Sequence, residues 1–143
     1  MTDKISPKQR SELMSKINAN SQLERTVAKE LYRRGIRYRK NNRKLFGTPD
    51  ISIIKYKIVI FIDSCFWHHC PIHGNIPKTN TSFWIEKLGR NTERDIEVNK
   101  YYSKIGWHIL RIWEHDLQDN FNVTIDQIIN FINDAKKSPK TLN

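Results

Sequence analysis

Long apolar runs are missing from this chain. The most apolar stretch, Ile58 to Ile62, is far short of the roughly 20 residues that a membrane-spanning helix needs. A bilayer-spanning role is therefore set aside. Met1 to Arg10 carries charges and lacks the apolar core and small-residue cleavage site of a secretory signal, so a cytoplasmic location is expected. Cysteine is scarce: the two present, Cys65 and Cys70, stand five positions apart. In a reducing compartment such a pair suits a metal better than a disulfide, provided histidines add ligands, and five are available. Acidic residues are also in deficit, 15 against 25 Lys and Arg, leaving a formal charge of +10. That excess points to a polyanionic partner, nucleic acid first, and says nothing about catalysis.

What is present reads as one domain, residues 1–143, large enough for a single core. Ser6-Pro7 caps a short amphipathic helix over about 7–17, and Ser21-Gln-Leu-Glu24 has the form of a capping box opening a second helix, about 22–34, stopped by Gly35. A short strand at 37–40 and a loop over 41–49 precede a strand at 50–54. A hairpin turn at 55–57 then leads to Ile58-Val-Ile-Phe-Ile62, apolar throughout like a central strand covered on both faces. Residues 63–80 form a loop of functional length, Thr81 or Ser82 caps a helix to about 105, and Gly106 ends it. A strand at 107–113 and an amphipathic helix at 122–136 close the chain. The order implies an α/β sandwich around a mixed sheet. If the strands 58–62 and 107–113 are parallel neighbours, their carboxyl ends bring the loop after Asp63 beside Glu114-His115.

Two constellations follow. Cys65, Cys70 and His73 offer three zinc-type ligands within nine residues, and His115 can complete a closed, structural tetrahedral site, with His69 a rival fourth ligand. The plain alternative is two small buried cysteines and surface histidines. Asp50 and Asp63, on adjoining strands, form a carboxylate pair suited to Mg²⁺, and His68 can take a proton from a water at neutral pH. Singly, each of these three has a structural explanation as a turn or loop residue. Glu24 is explained locally by its capping box. Phe66 and Trp67 lie in a polar loop, with Trp84 near the next helix start. They suit either the core or insertion between base pairs. Trp84, Leu88, Asn91 and Asp95 share one helix face, placing Asn91 for phosphate and Asp95 for orienting a catalytic group.

The strings Leu45-Phe-Gly-Thr-Pro-Asp50, Val59-Ile-Phe-Ile-Asp-Ser-Cys-Phe-Trp-His68, Phe83-Trp84, Lys87, Asn91, Glu93-Arg-Asp95, and Gly106-Trp107 through Trp113-Glu-His115 closely resemble the very short patch repair (Vsr) endonucleases. The resemblance runs from about Ser6 to Glu114 or beyond. It implies a restriction-endonuclease-like fold with a mixed central sheet flanked by helices, a structural Zn²⁺ and a catalytic Mg²⁺. It further implies a nick on the 5′ side of the thymine in a T·G mismatch left by 5-methylcytosine deamination. By position, Asp50 is the principal metal ligand with the Ile62 carbonyl, His68 the general base, and Glu24 and Asp95 supporting groups. Phe66, Trp67 and Trp84 correspond to a wedge beside the mismatch, and Met14 to a residue of an N-terminal helix, about 6–18, that clamps the opposite groove. The implied partners are mismatched duplex DNA and other mismatch-repair proteins, with the chain itself a monomer at the nucleoid. The chain departs from the pattern at Asp63, where a histidine is usual, at Cys65, where the wider superfamily has lysine, and at His115, where a cysteine is usual. A zinc-stabilised DNA-binding module without catalysis and a nuclease cutting both strands of matched DNA are the competing classes.

Overall fold

The computed structural model describes residues 7–68, 70–72 and 76–137, without the side chains of 9, 12, 13 and 15–20. A single helix, α1 (Pro7–Arg33), stands where two were expected. The Asn-Ala-Asn-Ser stretch at 18–21 holds neither Gly nor Pro, and Asn or Ser inside a helix costs only a few tenths of a kcal/mol each, so the backbone ladder runs through. Ser21 is thus mid-helix and Glu24 is no cap.

Two strands follow in antiparallel succession, β1 (Arg39–Lys40) and β2 (Ile51–Ile53), each shorter than predicted. A 3₁₀ turn, Ile54–Tyr56, closed by Lys57 at φ +57°, reverses the chain into β3 (Ile58–Asp63). Helix α2 (Thr81–Lys104) starts behind Asn80, not Thr81 or Ser82. Asn80 takes the left-handed conformation while the Thr81 hydroxyl donates backwards to the carbonyls of Pro77 and Lys78. Gly106, at φ +75°, releases the chain into β4 (His108–Trp113). A six-residue helix that sequence reasoning missed, α3 (Glu114–Asp119), follows at once and precedes α4 (Phe121–Lys137).

The sheet order is β1-β2-β3-β4, antiparallel except for the parallel β3–β4 pair, so it is mixed as expected. All six residues of β3 are buried, as an apolar central strand requires. Its two faces feed two cores. Ile58, Ile60 and Ile62 pack with Val27 and Leu31 of α1 and Ile125, Ile128 and Ile132 of α4. Val59 and Phe61 face Val98 and Tyr102 of α2. Helices therefore cover both sides of the sheet, and the carboxyl ends of β3 and β4 lie side by side, with Asp63 opposite Trp113.

Candidate active site and thiolate cluster

The chain leaves β3 at Asp63 into a tight turn. The His68 N–H donates to the Ser64 carbonyl (3.1 Å) and the Cys70 N–H to that of Cys65 (2.9 Å). His68 looks into a cleft of about 240 Å³, shared with Glu24, Asp50, Asp63, Asn91 and Asp95.

Asp50, at the start of β2, is anchored from β3, where the Ile62 N–H donates to its Oδ2 at 2.7 Å. Glu24 reaches it from α1. Burial, then the charge of Glu24, pushes the Asp50 carboxyl up to about 8, against the pull of the Ile62 N–H. A hydrogen bond from Glu24 and the charge of Asp63 add to the rise. In the metal-free protein this site therefore holds a proton that a cation would displace.

His68 Nδ1 stands 2.5 Å from Asp95 Oδ2 of α2, and its Nε2 faces Asp63 Oδ1 at 3.7 Å. Burial alone would depress the imidazole, but the Asp95 hydrogen bond and the charges of Asp63 and Asp95 outweigh it, so its pKa lies above the ordinary value. The Asp95 contact fixes the neutral ring with its proton on Nδ1 and leaves Nε2 to accept one from the cleft. Asp63 itself is raised by burial, partly offset by His68 and Arg111. Arg111 of β4, which sequence reasoning missed, donates to both Asp63 oxygens at 2.9 and 3.1 Å. The signal was there: one cation in the apolar run Ile109-Leu-Arg-Ile112, on a strand paired with that of Asp63.

The shared face of α2 is turned inward. Trp84 and Leu88 are buried, and Asn91 Nδ2 donates to the Trp67 carbonyl at 3.1 Å, so here Asn91 holds the loop. Phe66 and Trp67 are half-buried and lean on Trp84, with ring centroids 5.5 and 6.2 Å from it. Trp84, expected among the wedge residues, is 1% exposed and forms the floor of this aromatic cluster. Met14, 54% exposed, lies in the first half of α1 and does not line the cleft that holds His68.

Two residues beyond the ends of β3 and β4, Cys65 and His115 come together. His115, in the first turn of α3, aims Nδ1 at Cys65 Sγ (3.3 Å) and Cys70 Sγ (3.6 Å). A tetrahedral ion with zinc-type bond lengths needs sulfur-to-nitrogen edges of about 3.6 Å, so the three donors fit one ion. Burial raises the Cys65 thiol to about 11, with the neighbouring Cys70 adding and His115 opposing. The shell around them is polar: the Ile72 N–H points at Cys70 Sγ (3.4 Å), His115 Nε2 lies 3.4 Å from Asp116, and Glu114, expected beside this loop, accepts the Cys65 N–H at 3.2 Å. His73, the expected third ligand, and His69, the rival fourth, lie outside the described residues.

A family model described as DNA mismatch endonuclease Vsr matches residues 2–73. The type II nicking enzyme V.NmeAIP of Neisseria meningitidis is 44% identical over 121 residues, 83% of this chain and 86% of its own. This chain belongs to the Vsr family of endonucleases. The type II nicking enzyme V.HpaIIP of Haemophilus parainfluenzae is 43% identical over 89% of this chain and 95% of its own. The DNA mismatch endonuclease Vsr of Escherichia coli K12 is 36% identical over 71% of this chain and 66% of its own. Family membership makes the chain a DNA endonuclease and leaves no place for a binding module without catalysis. It also suits the acidic cleft, since nuclease chemistry at a phosphodiester draws on a divalent ion. No helix among the described residues is long and apolar enough to cross a membrane.

Proposed function

We propose that this Vsr-family endonuclease nicks one strand of duplex DNA on the 5′ side of the thymine in a T·G mismatch, with Mg²⁺ in the cleft and Zn²⁺ at the thiolate cluster. The observation that carries the reading is the His68–Asp95 pair, 2.5 Å apart, opening into the same cleft as Asp50 and Glu24.

Asp50 and the Ile62 carbonyl would hold the catalytic ion, with Glu24 and Asp63 completing the acidic lining. When bound, that ion neutralises charge building on the phosphate and lowers the pKa of a nearby water. His68 accepts the water's proton at Nε2, while Asp95 keeps the ring in the required tautomer and stabilises the imidazolium that forms. Cys65, Cys70 and His115, with His73, would hold zinc and keep the loop carrying His68 at a fixed distance from the sheet.

Phe66 and Trp67 are the wedge, supported from below by Trp84, and Asn91 sets their backbone. A mispaired base costs less to unstack, which turns wedge insertion into selectivity. Met14 and its helix lie against the opposite groove. A second cavity of about 560 Å³, lined by Arg25, Lys29, Tyr32 and Lys40, adjoins the acidic cleft and suits the phosphate backbone. We infer that the chain acts as a monomer and hands its product to other repair proteins.

The test is a nicking assay with zinc-loaded protein, Mg²⁺ and duplexes that differ only in carrying T·G or a matched pair. A nick confined to the thymine strand of the mismatched duplex, abolished in Asp50→Ala with DNA binding kept, is the expected result. Cleavage of both strands of matched DNA would instead place the chain with restriction-type nucleases.

A further inference from the structure

Among the described residues two arginines line the cleft, and they are engaged very differently. Arg111 is held on several sides: it donates to both Asp63 oxygens, its Nε donates to Asn99 Oδ1 at 2.6 Å, and the group lies 4.5 Å over the Phe61 ring. Arg94, which precedes Asp95 on α2, forms no ion pair with any described carboxylate, although Glu24, Asp50, Asp63 and Asp95 line the same cleft. Its guanidinium stands 6.0 Å from the Phe46 ring, and the residue is exposed. Arginine keeps its charge in proteins and carries five donors in a fixed fork. At the rim of this cleft those donors face outward, toward whatever enters it.

The ring beside Arg94 is displayed and not buried. Phe46 and Tyr101 are 38% and 42% exposed, with centroids 4.8 Å apart. Arg94, Val98 and Tyr101 follow one another on α2 at spacings of four and three, so the cation and the aromatic pair share one helix face over the buried Val98. The loop that carries Phe46 is pinned from below, where the Tyr102 hydroxyl donates to the Phe46 carbonyl at 2.5 Å. Thr48, which lines the cleft two residues on, has φ +49°. A β-branched residue in the left-handed region costs about 1–3 kcal/mol and persists where the surrounding structure over-determines it. An anchored, strained turn that holds a large apolar ring in water at the mouth of a nuclease cleft suits a ligand better than a core.

We propose that Arg94, Phe46 and Tyr101 form a subsite for the backbone of the cut strand beside the scissile bond, Arg94 holding a phosphodiester and the two rings packing on the neighbouring deoxyribose. The guanidinium fork matches a pair of phosphate oxygens. The carbon face of the sugar covers the aromatic surface without reading a base, so the subsite fixes the register of the strand and leaves the choice of mismatch to other contacts. The inference rests on the reading of this cleft as the seat of cutting.

The experiment follows binding of duplex DNA to the full, zinc-loaded chain without Mg²⁺ by fluorescence anisotropy across a range of NaCl. Arg94→Gln should bind T·G and matched duplexes alike roughly tenfold more weakly at about 100 mM salt. The slope of log affinity against log salt should become shallower by about 0.9, the change expected for one phosphate. Arg94→Lys should keep the slope of the wild type. Tyr101→Ala should weaken binding several-fold with the slope unchanged. Arg94 and Tyr101 are both exposed, so these variants leave the core intact. A methylphosphonate, which removes the charge of one diester, is then moved along the thymine strand. At one diester within a few nucleotides of the nick it should weaken binding by the wild type and leave that of Arg94→Gln unchanged. An unaltered slope in Arg94→Gln, full affinity in Tyr101→Ala, or a scan on which wild type and Arg94→Gln agree at every diester would overturn the proposal alone. Nicking that survives Asp50→Ala would overturn the reading of the cleft and this proposal with it.

Discussion

Asp50 and His68 both bind protons more tightly in the folded, metal-free chain than they would unfolded. A group raised in this way favours the folded state below its unfolded pKa, and that contribution is lost as pH rises through the folded value. For Asp50 the window runs from the ordinary carboxylate range to about 8. The thermal midpoint of metal-free protein should therefore fall between pH 5 and 8.5. Asp50→Asn should flatten that fall and stabilise the metal-free chain at pH 8 by about 2 kcal/mol, since the amide buries no charge there and one pKa unit is worth ~1.4 kcal/mol. Differential scanning fluorimetry across pH checks this, and a steeper fall in the variant would sink it. Asp95→Asn removes the hydrogen bond that lifts His68. The imidazole should titrate lower by NMR, and nicking should slow by roughly 10²-fold as tautomer control is lost. That Asp50 and His68 share one cleft was legible from sequence because adjoining strands carry the one and deliver the other, although singly each also had a structural explanation. Arg111 was not singled out, because its value lies in facing Asp63 across a register that only the paired strands supply.

Elements differed in how openly they announced themselves. The apolar run of β3 and the Gly106 stop of α2 were read correctly because burial on two faces and a left-handed residue each have a local sequence sign. The break expected near residues 18–21 did not occur, because capping signals compete with an unbroken helical ladder and here the ladder wins. Helix α3 went unread because its six residues carry little periodicity, yet it delivers His115 to the cysteines. The loop before β2 depends on a close approach to α2. Gly47 has φ +76°, and a Cβ there would meet the Val98 methyls at 2.9 and 3.0 Å. Gly47→Ala should cost about 2 kcal/mol, from strain and overpacking together, measurable by urea unfolding. A neutral result would mean that the loop can lift away from α2 freely.

At the scale of the whole molecule, the charge excess sets how binding responds to salt. If six phosphates are neutralised, affinity for any duplex should fall about 10³-fold between 50 and 200 mM salt, with the T·G preference unchanged; a flat response in fluorescence anisotropy would contradict a phosphate-led interface. Stripping the proposed zinc with a chelator should lower the thermal midpoint by at least ~5 °C, because the Cys65, Cys70 and His115 cluster joins the loop after β3 to the start of α3. Layer order and sheet type followed from the alternation of helices and strands. What no pattern conveyed was that the first helix is unbroken. Rising 1.5 Å per residue, it carries Met14 and Glu24 on one rod about 15 Å apart. A rod without a joint behaves as a lever. On the proposed reading, a grip on DNA at its outer arm would turn the same shaft that sets Glu24 against Asp50, so that seating on the groove and readiness to cut would become one mechanical event.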